Sequence, residues 1–254
     1  VGRYHRPDKV VQTPVAFLTC NFTQPLDGKP ELLTHDDVIT LFHEFGHGLH
    51  HLLSLVEEPS VTGISGVPWD AVELPSLFLE NWCWERGALD LVTSHVDTGE
   101  ALPDKLLQKL RGARNFQSGM QMVRQLEFAL FDFRLHASTA QISADALLRV
   151  LDNVRQQVAV VTLPTFDRFP HAFSHIFAGG YAAGYYGYLW SEVLSADAYD
   201  RFEQEGVFNA TAGRAFMQHV LETGGVEEPL DVFKAFRGRE PSINAFLRHS
   251  GLNT

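Results

Sequence analysis

The chain has 254 residues, of which 45% are hydrophobic and 20% are charged, an ordinary globular composition that argues against a disordered, fibrous or membrane-bundle protein. The formal net charge of -11 repels phosphate backbones and argues against a nucleic-acid partner. Two cysteines are too few for a disulfide framework, and no apolar run reaches membrane-spanning length, so we expect a cytoplasmic protein without a membrane partner.

The N-terminal part predicts short strands followed by a helix. Residues 10–22 are rich in β-branched and aromatic side chains and predict one or two short strands, ending in a turn at Pro25 and Asp27. Thr34, with an acid three residues later, forms a variant of the capping box. It predicts the start of a helix that runs to about Leu55.

The rest of the chain is predicted to be mainly helical. A second helix is expected from about residue 71 to beyond residue 85, and two or three amphipathic helices within 103–161. Residues 169–187 combine glycines with aromatic side chains and predict a flexible loop that enters a helix near Tyr181. No linker divides the chain, so we predict one mainly α domain over residues 1–254, with a small β-sheet.

The first helix carries a metal-binding pattern, His43-Glu44-Phe45-Gly46-His47. H-E-x-x-H places two imidazoles one turn apart on one face, within reach of a single Zn²⁺. An apolar stripe at helical spacing is predicted to face the core: Val38, Leu41, Phe42, Phe45, Leu49 and Leu52. Both histidines lie on the opposite face, which favours a metal site over core histidines. The alternative is two exposed histidines beside an ordinary surface acid.

A catalytic zinc site needs a third protein ligand and keeps one position open for water. Glu73, near the start of the second predicted helix, is our choice, because an acid there also suits the helix dipole. Asp70 and Glu80 remain alternatives. His50 and His51 are expected to line the cleft or to bond nearby carboxylates, so one zinc ion is predicted.

The stretch L-F-H-E-F-G-H-G-L-H-H, followed by W-D-A-V-E-L-P-S-L-F-L-E-N-W-C-W-E, resembles the thimet oligopeptidase and neurolysin family of zinc metallopeptidases. The resemblance continues through S-H-I-F-A-G-G-Y-A-A-G-Y-Y-G-Y-L-W-S-E and the C-terminal R-G-R-E-P, so it covers essentially the whole chain. Family members are longer at the N-terminus, and the chain resembles only their C-terminal, catalytic part. The resemblance implies a zincin-type catalytic domain built on the H-E-x-x-H helix, in which His43, His47 and Glu73 bind zinc.

Three tyrosines recur at i, i+4 and i+7, which would place their phenols on one helical face: Tyr181, Tyr185 and Tyr188. Tyr186 is predicted to point elsewhere. Such a stripe is also typical of core packing, but neighbouring glycines leave the backbone open, as a closing loop requires. The family resemblance implies that His175, Tyr181 and Tyr188 stabilise the transition state and that Tyr185 contacts substrate, and we expect Gly179 and Gly180 to contact it too.

Together these features predict a zinc-dependent metallopeptidase that hydrolyses internal bonds of short oligopeptides, with Glu44 as general base. The limit on substrate size follows from the resemblance alone. Alternatives are another class of hydrolase on the same zinc helix, a dipeptidyl-carboxypeptidase of the same family, or an incomplete fragment that binds peptide or a partner without turnover. A missing N-terminal half of a family chain is an expected partner. Residues 17–22 resemble the family's strand beside the active site, where a peptide could add, or they form simple edge packing.

Overall fold

The computed structural model of the protein describes residues 1–8, 10–23, 28, 30–138 and 141–252. Its N-terminal segment forms a small antiparallel sheet of two strands, β1 (Tyr4–His5) and β2 (Val11–Gln12). Tyr4 lies opposite Gln12, and His5 lies opposite Val11. The predicted small sheet is therefore confirmed.

The strand prediction for residues 10–22 holds only at its beginning, because residues 13–23 carry no strand. Beyond Val15, whose backbone still pairs with Val1, no neighbouring strand in the described ranges supplies backbone hydrogen bonds, so the ladder stops. The predicted turn at Pro25 and Asp27 lies outside the described residues.

The first long helix, α1 (His35–Leu53), begins where the sequence predicts. Thr34 is the N-cap: its hydroxyl accepts from the Asp37 amide at 3.2 Å, while the Asp37 carboxylate accepts from the Thr34 amide at 2.8 Å. These reciprocal bonds satisfy two backbone donors that a helix start otherwise leaves unpaired. The capping-box prediction is confirmed.

The predicted core stripe of α1 is only partly right. Leu49 packs on the main core, but Leu41 is 38% exposed and Phe45 is 45% exposed. The buried face is instead rotated toward Gly46 and His50. A Cβ at Gly46 would lie 2.5 Å from the Cα of Ser76, so the following helix approaches α1 through a residue that hydrophobicity does not mark.

The second predicted helix is interrupted. It consists of α2 (Leu74–Glu80), a 3₁₀ turn (Asn81–Trp84) and α3 (Arg86–Val92). The start lies three residues later than predicted because Pro75 occupies the first turn, where its missing amide costs no hydrogen bond. Glu73 becomes the N-cap residue of α2.

Nine further helices follow in the described part of the chain, in agreement with the predicted fold class. They are α4 (Asp104–Ala113), α5 (Ser118–His136), α6 (Ala144–Val158), α7 (Phe169–Ala172), α8 (Ser174–Phe177), α9 (Gly187–Glu205), α10 (Ala210–Phe216) with a π-helical continuation (Met217–Leu221), α11 (Pro229–Arg237) and α12 (Asn244–His249). The helix predicted to begin near Tyr181 begins at Gly187 instead.

Two aromatic-rich clusters form most of the core of the described residues, beside a small third cluster between α9 and α12. The larger joins α2 to α9, α10 and α11 around Phe78, whose ring stacks on Phe216 at 3.9 Å between centroids. The second joins α5 and α6 to the segment before α9 and contains Tyr181 and Tyr185. Among the described residues, no helix has the length and apolar character needed to cross a membrane.

Candidate metal centre and its cleft

Three possible ligand atoms meet between α1 and α2. The Nε2 atoms of His43 and His47 lie 3.2 and 3.1 Å from the same oxygen, Oε2 of Glu73. One ligand atom from each residue lies within 4.8 Å of the others. Two imidazoles one turn apart and one carboxylate match the composition of a catalytic zinc site. The structure thus brings together the three residues singled out in the sequence.

The alternative acids have other partners. Oδ2 of Asp70 accepts a hydrogen bond from the Tyr186 hydroxyl at 3.0 Å. Glu80 contacts the opposite side of the first imidazole, with Oε1 2.7 Å from Nδ1 of His43. Glu80 is therefore adjacent to the ligand cluster rather than part of it. Its position seven residues after Glu73, two helical turns along the same face, was the sequence signal for this contact.

Close helix packing positions the Glu73 carboxylate. The α1 backbone at Gly46 approaches the first turn of α2, where a Cβ would lie 2.6 Å from the carbonyl oxygen of Pro75. The Ser76 hydroxyl lies 2.9 Å from both the carbonyl oxygen and Oε2 of Glu73. The glutamate side chain is 6% exposed, so its carboxylate is held in one place by buried neighbours.

The electrostatics of the cluster favour a cation. Burial lowers the pKa of His43, but hydrogen bonds with Glu73 and Glu80 outweigh it and raise that pKa to about 10. Burial raises the pKa of the Glu73 carboxyl, but bonds with His43, His47 and Tyr181 hold it well below its ordinary value. If Nδ1 of neutral His43 donates to Glu80, its Nε2 lone pair faces a carboxylate oxygen. A proton or a metal ion makes that contact attractive, so these residues fit a bound divalent metal.

A cleft of about 780 Å³ opens beside this cluster, within the usual size range of ligand sites. Its walls include Glu44, His47, Glu73 and Tyr181, together with Phe17 and Leu18 from the N-terminal segment. The strand predicted at residues 17–22 is not formed, although its first residues do border the cleft.

The two histidines after the motif behave differently. His51 lines the cleft as expected, and its Nε2 lies 3.0 Å from the backbone oxygen of Val1. His50 is 3% exposed, and neither ring nitrogen has a hydrogen-bond partner within the described ranges. Burial, with smaller contributions from His47 and His51, lowers the pKa of His50 to about 4. The expectation that His50 lines the cleft or bonds a carboxylate is therefore wrong.

The predicted tyrosines do come together, although not on one helical face. Tyr181 and Tyr185 lie in turns before α9, and only Tyr188 lies within that helix. The rings of Tyr181 and Tyr188 stack with centroids 4.8 Å apart, and the ring of His175 lies 6.1 Å from that of Tyr188. Tyr186 points away toward Asp70, as predicted.

The Tyr181 phenol connects this aromatic group to the ligand cluster by donating to Oε1 of Glu73 at 2.6 Å. Burial and this bond raise the pKa of Tyr181 far above its ordinary value, and burial raises that of Tyr185 to about 12. The phenols therefore remain protonated hydrogen-bond donors at neutral pH.

The two glycines predicted to contact substrate are exposed and border this group. Gly180 has a φ of +86°, and a Cβ there would lie 3.0 Å from the ring of Trp69. Gly179 lies against His175, where a Cβ would be 2.9 Å from the backbone. The Trp69 ring, which the sequence analysis missed, lies 4.5 Å from that of Tyr181 and completes one wall of the cleft.

Comparison with known proteins agrees with this arrangement. Residues 2–252 match Peptidase family M3. The chain is 59% identical over 252 residues to Oligopeptidase A of Salmonella typhimurium and 58% identical to Oligopeptidase A of Escherichia coli, with 99% of the chain and 37% of each relative covered. It is 38% identical over 244 residues to Dipeptidyl carboxypeptidase of Escherichia coli, covering 94% of the chain and 35% of that protein.

The chain thus spans about a third of the length of these relatives. The family match nevertheless runs from the N-terminal sheet to α12, and all three residues of the candidate metal centre lie within the matched range. The family resemblance seen in the H-E-x-x-H helix and the Gly/Tyr segment is confirmed, and the chain belongs to peptidase family M3.

Proposed function

We propose that this chain is the catalytic domain of a zinc-dependent metallopeptidase that hydrolyses internal bonds of short oligopeptides. One observation carries the proposal: the ligand atoms of His43, His47 and Glu73 lie within 4.8 Å of one another, in a cleft that Glu44 also lines. The names of the bacterial relatives support oligopeptides as the substrate class.

His43, His47 and Glu73 would hold one zinc ion, which when bound supplies a Lewis acid that lowers the pKa of water to about 7. Glu80 prepares the site by accepting the Nδ1 proton of His43, which leaves the Nε2 lone pair facing the ligand cluster. Ser76 prepares it from the other side by donating to the Glu73 carboxylate.

Glu44 is the proposed general base. It follows the first ligand on α1 and lines the same cleft, which supports its carboxylate as the group that takes a proton from the attacking water. The same carboxylate then returns the proton to the nitrogen of the leaving amine, which must be protonated before it departs.

Donors for the developing oxyanion are proposed to come from the segment before α9. The Tyr181 hydroxyl already reaches Glu73, and the rings of Tyr188 and His175 lie beside it. Neutral phenols can donate to an oxyanion without changing their own charge. The exposed backbone at Gly179 and Gly180 would contact the substrate nearby. Tyr185 is 8% exposed and its hydroxyl donates to Gln125, so in place of the predicted substrate contact it would support the neighbouring ring of Tyr188.

Cleavage of internal bonds is favoured over the dipeptidyl-carboxypeptidase alternative because identity to the two Oligopeptidase A proteins is 58–59%, against 38% to Dipeptidyl carboxypeptidase. A peptide panel distinguishes the two modes. Blocking the C-terminus with an amide should leave internal cleavage intact, whereas removal of C-terminal dipeptides depends on a free carboxylate.

The test is hydrolysis of a quenched fluorescent peptide of about ten residues by the zinc-loaded protein and by Glu44→Gln. We expect wild-type turnover that a chelator abolishes, and a variant that keeps one zinc but loses nearly all activity. The matched control is Glu100→Gln, an exposed acid outside the cleft, which should remain fully active. Retained activity in Glu44→Gln would refute the general-base assignment, and Glu73→Ala with unchanged zinc content would refute the ligand set.

A further inference from the structure

A buried carboxylate on α5 holds the backbone of the tyrosine segment. Asp132 has no exposed surface, and its two oxygens accept hydrogen bonds from the amides of Ala183 and Tyr185, each at 2.9 Å. Oδ1 also lies 2.7 Å from Nδ1 of His136. A fully buried carboxylate is costly unless its oxygens are paired, so these bonds fix Asp132 and the segment relative to each other.

The segment needs such support because its backbone is unusual. Ala183 has a φ of +57°, a left-handed conformation that residues with a Cβ rarely adopt. Local bonds from Gly184 to Tyr181 and from Gly187 to Gly184 close two successive turns. The Asp132 bonds act at the strained residue and two residues beyond it, where they oppose relaxation to a right-handed conformation.

The same helix holds Tyr185 at a second point. Gln125, seven residues before Asp132 and on the same face of α5, accepts a hydrogen bond from the Tyr185 hydroxyl at 3.1 Å. The backbone and the phenol of Tyr185 are thus both fixed to α5. Its ring lies 5.2 Å from that of Tyr188, which stacks on Tyr181, the residue that reaches Glu73.

We propose that Asp132 is a positioning residue: it holds the turns before α9 so that Tyr181 and Tyr188 face the candidate metal centre. The inference rests on the proposed function for the role of the two tyrosines. It predicts that Asp132 acts through the segment it holds and does not touch the substrate.

Hydrogen exchange of the native protein tests the clamp directly. The amides of Ala183 and Tyr185 should be protected, although the segment contains exposed residues. The Ala182 amide, which has no acceptor among the described residues, should exchange faster. Equal exchange at all three positions would overturn the proposal without any variant.

Asp132→Asn then tests the consequence. Asparagine has the same size but only one acceptor oxygen, so its NH₂ group must face one of the two backbone donors. We expect exchange at Ala183 and Tyr185 to rise about ten-fold, and kcat to fall about ten-fold or more while KM and zinc content stay close to wild type. Combination with Tyr188→Phe should lower kcat by less than the product of the single effects, because both changes disturb one unit.

Glu127→Gln is the matched control. Glu127 is a buried acid on the same helix, 3% exposed, but it pairs with Arg155 at 2.9 Å and not with the tyrosine segment. The Glu127→Gln variant should be less stable than wild type, but its kcat and its amide exchange at Ala183 should be unchanged. The positioning role would be overturned if the effects of Asp132→Asn and Tyr188→Phe on kcat multiplied in the double variant. It would also be overturned if Glu127→Gln changed kcat and amide exchange as much as Asp132→Asn does. An inactive wild-type protein would refute the proposed function alone, since the exchange pattern still decides the clamp.

Discussion

Replacing Gly46 with alanine should damage both stability and metal binding. In an ordinary helix interior this change stabilises by about 1 kcal/mol, because alanine has the higher helix propensity. Here the new Cβ would lie 2.5 Å from the Cα of Ser76 and 2.6 Å from the carbonyl oxygen of Pro75. Both atoms belong to the α2 backbone, so no side chain can rotate to make room.

Relief of that clash requires α1 and α2 to separate by about 1 Å, since ordinary carbon contacts begin near 3.5 Å. Overpacking of this kind costs about 1–3 kcal/mol, so after the propensity gain we expect a net loss of up to about 2 kcal/mol. The same movement carries Glu73 away from His43 and His47. Metal–ligand distances tolerate only about 0.2 Å, so zinc affinity should fall by roughly 10- to 100-fold.

Urea unfolding of the metal-free protein measures the first effect, and competition with a chromophoric chelator measures the second. The matched control is Gly213→Ala in α10, where a Cβ would meet no atom within 4 Å. This variant should be more stable than wild type by about 0.5–1 kcal/mol. If Gly46→Ala were as stable as this control and bound zinc with wild-type affinity, close packing of α1 on α2 would not be what positions the ligands.

Three further predictions concern single carboxylates. Burial, with the charge of Glu80, raises the pKa of Glu192 from 4.5 to about 7, so the folded protein keeps a proton that the unfolded chain loses. The stability of the folded protein should therefore fall as pH rises from about 4.5 to 7. Glu192→Gln should remove this pH dependence and raise the free energy of unfolding by up to about 3 kcal/mol at pH 8. Urea unfolding at pH 5 and pH 8 checks this, and an unchanged pH dependence in the variant contradicts it. Glu80→Gln should weaken zinc binding by roughly 10- to 100-fold because His43 loses the carboxylate that orients its ring; unchanged affinity in chelator competition would contradict that role. Asp197, 1% exposed, pairs with Arg237 at 3.0 Å, so Asp197→Asn should cost about 3–5 kcal/mol by denaturant unfolding, and a loss below about 1 kcal/mol would argue against a structural ion pair.

The metal centre was largely predictable because its geometry is local. The H-E-x-x-H spacing fixes where His43 and His47 point as soon as the segment is helical. The third ligand was less determined, because Glu73 and Glu80 occupy the same face of the next helix, two turns apart. Which of them reaches Nε2 and which reaches Nδ1 depends on how α2 lies across α1, and that crossing is a tertiary feature.

The sequence predictions were wrong where small or polar residues determine the packing. Hydrophobic periodicity placed Leu41 and Phe45 in the core, yet α1 turns Gly46 inward because only a residue without a Cβ admits the α2 backbone. Tyrosine spacing predicted a helix from Tyr181, yet the segment forms turns. The left-handed residue, Ala183, donates its amide to Asp132, which lies 51 residues earlier in the chain. A contact between residues so far apart produces no periodic pattern in the sequence.

The candidate site therefore has two halves with separate supports. The ligand half depends on the contact of α1 with α2 at Gly46, whereas the donor half is held by Asp132 on α5. The halves meet where the Tyr181 hydroxyl donates to Glu73 at 2.6 Å. Gly46→Ala should accordingly weaken zinc binding without changing amide exchange in the tyrosine segment, and Asp132→Asn should do the reverse. Tyr181→Phe removes the contact between the halves, so both the metal affinity and the turnover of the zinc-saturated protein should fall in that variant.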